Sequence, residues 1–244
     1  MSEISGHTRI WGILADPIAH VKTPQMINRV AQERGVDGVM IPFHVASADL
    51  ATLVKGLKGM KSLHGFVVTV PHKTAIVDLL DEVSDNARLI GAVNTVRREA
   101  DGRLVGEMLD GVGFVKGLVD AGLDPKGRSA YLAGAGGAAN AIAFALLEAG
   151  VTYLTIFNRT QSKVEDLIRR LKIAYPLADV RIGSADPSGH DLVINGTSLG
   201  LKPNDALPFR TDRLTPDQII AEVIMEPEET AVMAEAKAKG CLVH

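Results

Sequence analysis

Residues 129–150 constrain the fold of this chain more than any other stretch. An apolar run, Ser129-Ala-Tyr-Leu-Ala133, leads into Gly134-Ala-Gly136-Gly137-Ala138-Ala139, and an apolar helix pattern follows from Asn140 to Gly150. The spacing is G-x-G-x-x-G/A. Gly134 then makes the tight turn, Gly136 lets the backbone approach a pyrophosphate, and Ala139 permits close packing of helix on strand. A helix N-terminus offers unpaired N–H groups and a positive dipole end to such an anion. A purely structural glycine loop is the alternative. The strand before the turn, the helix after it and a second apolar strand at Tyr153–Phe157 favour a nucleotide-binding turn, with Gly134, Gly136, Gly137 and Ala138 as cofactor-binding positions.

The end of that second strand decides which nucleotide is bound. Sites for NAD usually place Asp or Glu there to hold the ribose 2′-OH. This chain has Asn158-Arg159-Thr160 instead. A carboxylate would repel a 2′-phosphate, whereas a guanidinium grips it with two hydrogen bonds. Arg159 could be an ordinary surface arginine at a helix start, but its position favours NADP, with Asn158 and Thr160 beside it in the contact.

Composition excludes several classes. A chain of 244 residues with 46% hydrophobic and 23% charged residues is an ordinary globular protein of one large or two modest domains. The net charge of −3 gives no footprint for nucleic acid. No apolar run reaches the roughly 18 residues of a membrane span. The segment Met1-Ser-Glu-Ile-Ser-Gly-His7 lacks the basic and apolar regions of a secretory signal. Cys241 stands alone, in a setting that reads as buried and apolar, so neither an intrachain disulfide nor a catalytic thiol is expected. A reducing cytoplasm fits. His, Asp and Glu do not fall at metal-ligand spacings, so no metal is expected.

The whole chain reads as α/β, with two α/β domains flanking a cleft, the second a Rossmann-type NADP-binding domain. Strands are expected at 9–14, 38–45 and 63–70, and a hairpin at 92–98 and 103–108 joined by Glu99-Ala-Asp-Gly102. Thr23-Pro24 looks like an N-cap with Pro at N1, opening a helix to Arg34 that Gly35 ends. Helix patterns also cover 48–57, the stretch from Pro71 to Asp81, and 114–121. The substrate domain is expected over 1–112 and the cofactor domain over 113–224, with further strands at 191–195 and 219–223. A C-terminal helix over 225–244 is expected to pack back on the first domain. The Arg169-Arg170-Lys172 cluster reads as a solvated helix face.

Lys73 follows a fully apolar strand in Thr69-Val-Pro71-His72-Lys73. A lysine just past the C-terminal end of a buried strand faces the region where α/β sheets bind ligands. Asp110, after the hairpin, is its natural partner. Moving a hydride from a secondary alcohol to NADP requires the hydroxyl proton to leave, and a Lys–Asp pair can relay it because burial and neighbouring charge tune the lysine. Taken singly, either residue is more often a surface charge. His20 and His72 adjoin these motifs without a catalytic role.

Read together, the motifs resemble the shikimate/quinate dehydrogenase family along nearly the whole chain. Asp16-Pro-Ile-Ala-His-Val-Lys-Thr-Pro24, with Asn28, looks like the family's substrate loop, and Val68-Thr-Val-Pro-His-Lys73 is similar to its catalytic-lysine segment. Gly91-Ala-Val-Asn94-Thr95 matches its substrate-binding asparagine turn, and Gly106 to Gly113 its aspartate segment. The glycine turn, Asn158-Arg159-Thr160 and Asn195-Gly-Thr-Ser-Leu-Gly200 follow in family order. The resemblance implies reversible, NADP-dependent oxidation of a ring hydroxyl on a small carbocyclic hydroxy acid, in aromatic amino acid biosynthesis. Lys73 would be the acid/base group and Asp110 its partner. Thr23, Thr69 and Asn94 would hold the substrate, and Thr197 and Ser198 would lie under the nicotinamide. A monomer or homodimer is implied.

The substrate half departs from the family pattern. Val21 replaces a serine of the substrate loop and Thr23 stands in for another, Val67 replaces an Asn, and Met108 and Leu109 replace Asn and Thr. Glu222 and Met225 fall where Asp and Tyr are usual, and the family's substrate-binding glutamine has no counterpart up to His244. An unpaired ligand carboxylate in a buried site forfeits several kcal/mol by rough estimate. A paralogue with weak or shifted specificity is therefore expected, acting for example on quinate or aminoshikimate. Two rivals are an idle NADP(H)-binding regulator and a folate-linked dehydrogenase of similar build. Retention of Lys73 with Asp110 speaks against the first, and Thr69 with Asn94 against the second.

Overall fold

The computed structural model describes residues 4–244, so the first three residues of the N-terminal segment lie outside it. The chain divides into two compact units, Met1–Leu109 and Asp110–His244. The junction falls before Asp110 rather than after residue 112, because Asp110 already belongs to a helix of the second unit.

In the first unit the apolar runs become β1 (Arg9–Ala15), β2 (Gly38–His44) and β3 (Leu63–Val68). Helix α1 (Thr23–Glu33) links the first two strands, and α2 (Leu50–Lys58) links the second and third. Then follow β4 (Glu82–Val83), α3 (Asp85–Ile90), β5 (Thr95–Arg98) and β6 (Leu104–Glu107). The six strands form one sheet in the order β2-β1-β3-β5-β6-β4. Its β1, β2 and β3 run parallel, whereas β5 is antiparallel to both β3 and β6. The hairpin sits where the sequence places it, with shorter strands.

Two local expectations fail in this unit. Thr23 is not an N-cap: Lys22 takes that place without a side-chain cap bond, and Thr23 is already inside the helix ahead of Pro24. The stretch after Pro71 makes only a 3-10 turn over Ala75–Leu79. Its chain is drawn into extended form by Asp81, whose carboxylate accepts from Lys58 Nζ at 2.7 Å and from the Leu104 amide at 2.8 Å.

The second unit begins with α4 (Asp110–Asp120) and continues through β7 (Ser129–Ala133), α5 (Gly137–Glu148), β8 (Tyr153–Phe157), α6 (Gln161–Ala174) and β9 (Val180–Ile182). It ends with β10 (Leu192–Asn195), β11 (Ile219–Glu222), α7 (Ala231–Ala238) and β12 (Leu242–Val243). All six strands are parallel, in the order β12-β11-β10-β7-β8-β9. The chain builds outward from β7 through β8 to β9, then returns to the other side of β7 with β10. That reversal is the topological switch point of a Rossmann-type sheet, where ligands bind beyond the strand ends. At the opposite end of the same two strands, Asp191 accepts from the Ser129 amide and hydroxyl, both at 2.7 Å. Those bonds, the backbone one foremost, hold its carboxyl below the ordinary carboxylate range.

The C-terminal segment corrects another expectation. It is not one helix over 225–244: α7 is short, and the chain then turns into β12, which pairs with β11 of the second unit's own sheet. Val232 and Ala236 of α7 are buried with Tyr131, Val193, Phe209, Ile220 and Cys241. The small apolar face of α7 closes this sheet's own core, and the amides of Glu222 and His244 complete the ladder.

Helix α5 is buried along its whole middle, Ala139 to Leu146. It receives α4 at very short range: a Cβ on Gly111 would lie 2.1 Å from the Ala141 carbonyl oxygen. Backbone cannot yield there as a side chain would. Gly111→Ala is expected to cost about 1–3 kcal/mol, the usual range for overpacking, by displacing α4. Chemical denaturation of the two proteins measures this, and equal midpoints would show that α4 shifts freely.

Candidate functional site

At the C-terminal end of β3, backbone hydrogen bonds gather three of the residues singled out in the sequence. The Thr69 amide donates to Leu14 O at 3.0 Å, and its carbonyl accepts from His72 N at 2.9 Å. The Val68 amide donates to Asn94 O at 2.7 Å, and the Val93 amide donates to Lys73 O at 2.8 Å. Thr69, Lys73 and Asn94 therefore share one edge of the first sheet, Thr69 and Lys73 half-buried and Asn94 buried. The Asn94 side chain is oriented by the chain itself, since its Oδ1 accepts from Thr95 Oγ1 at 3.0 Å and from the Leu109 amide at 2.9 Å.

His72 holds the lysine segment from beneath. It is 1% exposed, and its Nε2 donates to Val45 O at 2.8 Å, which leaves Nδ1 as a buried acceptor without a partner. The ring is a packing and anchoring group. Thr23 is placed separately, by α1. Asn28 clamps that helix to β2 by donating from Nδ2 to Met40 O at 3.0 Å and accepting from Met40 N at 2.7 Å.

In the second unit Asp110 is the first residue of α4 and is half-buried. The glycine turn stands at the switch point. Gly134 has φ +118°, a conformation that L side chains rarely adopt, and a Cβ there would lie 2.7 Å from Gly196 O. Gly136 is exposed, caps α5 in extended form, and has nothing within 4 Å of where a Cβ would stand. Gly137 and Ala138 form the first turn of α5, half-buried, with amides at the positive end of the helix. An open backbone concavity at a helix start is what a pyrophosphate requires.

Beyond β8, Asn158 donates from Nδ2 to Thr160 O at 3.1 Å, and Arg159 and Thr160 are exposed at the start of α6. After β10, Thr197 donates from Oγ1 to Asn195 Oδ1 at 2.7 Å, while Ser198 is exposed. The turn, the 158–160 segment and the 195–200 loop thus follow three parallel strands at the same end of one sheet. Two residues of this region carry more than the sequence reading assigned them. Asn195 is fully buried and organises its loop, and Glu222 is a carboxylate pushed above its ordinary range by burial. The signal for Glu222 was a charged residue ending an apolar strand. Among the described residues no cluster of His, Cys, Asp or Glu could hold a metal, and no helix is long and apolar enough to cross a membrane.

Family models match both units. The shikimate dehydrogenase substrate binding domain matches residues 13–96, and shikimate / quinate 5-dehydrogenase matches residues 119–198. The shikimate dehydrogenase (NADP(+)) of Geobacter metallireducens is 38% identical, over 98% of this chain and 85% of its own length. A crystal structure of shikimate dehydrogenase in complex with NADP+ has a TM-score of 0.90 at 32% identity, covering 99% of this chain and 85% of that one. The ligand-free 5-ketofructose reductase of a Gluconobacter species has a TM-score of 0.82 at 36% identity, covering 98% and 87%.

Two alanine variants separate structure from binding at the glycine turn. Gly134→Ala meets both a forbidden φ and the Gly196 carbonyl, and should lose about 2–5 kcal/mol of stability. Gly136→Ala meets open space, so it should melt like the parent and lose affinity only for an anionic dinucleotide. Calorimetry and a binding titration distinguish the two, and an unstable Gly136→Ala would refute the assignment of that glycine to a ligand.

Proposed function

The chain belongs to the shikimate dehydrogenase family and is an NADP-dependent oxidoreductase of that type; from that premise we propose that it reversibly oxidises a ring hydroxyl of shikimate or a related carbocyclic hydroxy acid. The observation that carries this reading is the gathering of Thr69, Lys73 and Asn94 on one sheet edge by their neighbours' backbone bonds. When bound, NADP would supply the acceptor for the hydride of the carbinol carbon. The open turn of Gly134, Gly136, Gly137 and Ala138 fits its pyrophosphate. Asn158, Arg159 and Thr160 suit the 2′-phosphate end, and Thr197 and Ser198 the nicotinamide end.

The chain's own residues handle the proton. Lys73 takes the hydroxyl proton as the hydride leaves and returns it in the reverse direction. The Asp110 carboxylate stabilises and orients the lysine ammonium that forms. Thr23, Thr69 and Asn94 donate to substrate hydroxyls or carboxylate and hold the carbinol in register. We place the protein in the cytoplasm as a monomer or homodimer, where shikimate itself as substrate would assign it to aromatic amino acid biosynthesis.

A second reading rests on the departures. Val21 and Met225 put apolar side chains where the family pattern has carboxylate and hydroxyl partners. A polyhydroxylated ketone without a carboxylate would not miss them, and the 36% identity to a 5-ketofructose reductase favours it. A screen of NADP reduction over shikimate, quinate and aminated or deoxygenated analogues, with NADPH oxidation by polyhydroxy ketones, decides between the two. Turnover of ketones alone would replace the ring acid.

Two predictions test the residues. Arg159→Ala should weaken NADP binding by about 1.5–3 kcal/mol, the range for a charged hydrogen bond, and leave NAD nearly unchanged. Equal losses would make Arg159 structural. Lys73→Ala should lower kcat by roughly 10²–10⁴-fold, the share of a general acid/base, with a smaller effect on KM. Asp110→Asn should also lower kcat, and the double variant should fall short of the product of the two losses because the pair acts as a unit. Full activity in Lys73→Ala on any substrate found by the screen would end this mechanism.

A further inference from the structure

Glu222 ends β11 with its side chain turned into the protein. Its Oε2 accepts from Asn195 Nδ2 and from Thr230 Oγ1, both at 2.9 Å. Its Oε1 accepts from the amides of Val223 at 2.8 Å and Ile224 at 3.1 Å. Four donors converge on one carboxylate, and burial still pushes its carboxyl upward. The cost of desolvating a charge is tolerated here because every lone-pair direction is used.

Asn195 passes this constraint to the loop that follows it. Its Nδ2 also donates to Leu199 O at 3.0 Å, and its Oδ1 accepts from Thr197 N at 3.1 Å and Thr197 Oγ1 at 2.7 Å. Thr197 Oγ1 in turn accepts from the Leu199 amide at 3.0 Å. An asparagine amide has two orientations, and they are not equivalent here. Glu222 and the Leu199 carbonyl are acceptors only, so they require the NH2 end to face them. Oδ1 is then left facing Thr197. Reversing the amide would set two acceptors against its oxygen and a donor against its nitrogen.

We propose that Glu222 is a positioning residue for the cofactor loop: by dictating the orientation of Asn195 it holds Thr197 and Ser198 in the conformation that receives the nicotinamide end of NADP. This rests on the reading above that places Thr197 and Ser198 at the cofactor. It also explains a departure from the family pattern, since the longer carboxylate at this position serves Asn195 and Thr230 rather than substrate.

The test uses Glu222→Gln and the isosteric Thr197→Val in the full chain. A glutamine offers one acceptor oxygen where the carboxylate offers two, so it forfeits the donors on one side while keeping its volume. Amide hydrogen exchange without cofactor should quicken about tenfold or more over residues 197–199 in Glu222→Gln, while the amides of β7 keep parental rates. NADPH affinity, from fluorescence titration, should fall roughly 5–20-fold in each variant, and the double variant should lose little more than the worse single one. Thr197→Val alone carries the binding arm if Glu222→Gln does not fold. Parental exchange in Glu222→Gln overturns the proposal, as does faster exchange with parental NADPH affinity. Arg159→Ala separates the causes. If it weakens NADPH while Glu222→Gln does not, the positioning role fails and the cofactor reading stands. If neither variant weakens NADPH, both fail.

Discussion

The second unit depends on how closely two backbones approach at the switch point between β7 and β10. Gly134 leaves β7 at φ +118°, with Gly196 O 2.7 Å from where its Cβ would be, and Ala139 Cβ lies 3.1 Å from where a Cβ on Gly196 would be. Only very small residues allow that spacing. Because they allow it, α5 starts directly beyond the strand end and its first amides face the ligand region. The same economy repeats one layer out, where Gly111 brings the α4 backbone onto Ala141 O. Asp110 precedes that glycine, so the aspartate's position is tied, through the α4–α5 contact, to the turn at the switch point.

The first unit is organised by its polar side chains serving the backbone. Asn28 mimics a strand partner for Met40, His72 anchors to Val45, and Asn94 holds the Leu109 amide. Each satisfies a main-chain group that would otherwise be costly to leave unpaired. The candidate site residues among them are thereby oriented by the fold itself, which would reduce what binding must spend on ordering. Of the apolar replacements in the substrate half, Leu109 lends its amide to that network while its side chain stays exposed, and Met108 is buried in the core.

Much of the fold, and the place of the candidate site within it, was legible because both depend on local chemistry. A glycine needed for φ and close approach, an arginine where a carboxylate would repel phosphate, and an Asp–Gly turn inside a hairpin each announce themselves over a few residues. Glu222 showed only as a charged residue ending an apolar strand, since its partners Asn195 and Thr230 are distant in sequence and its inward turn is set by them. The same holds for the 3-10 turn after Pro71. Its helical periodicity is real, but Asp81 is claimed by Lys58 of α2 and Leu104 of β6.

Periodicity, glycine placement and strand-end chemistry thus established two α/β units, a parallel cofactor sheet and the residues around its turn, because those signals arise within single elements. The destination of the C-terminal segment was decided only in three dimensions. Its Ala, Val and Glu pattern specifies a helix with a small apolar face, and such a face fits more than one surface. The exposed edge of β11 and the uncovered core around Tyr131 and Ile220 selected the second unit, since burial there also gives the last two residues of the ladder their backbone partners.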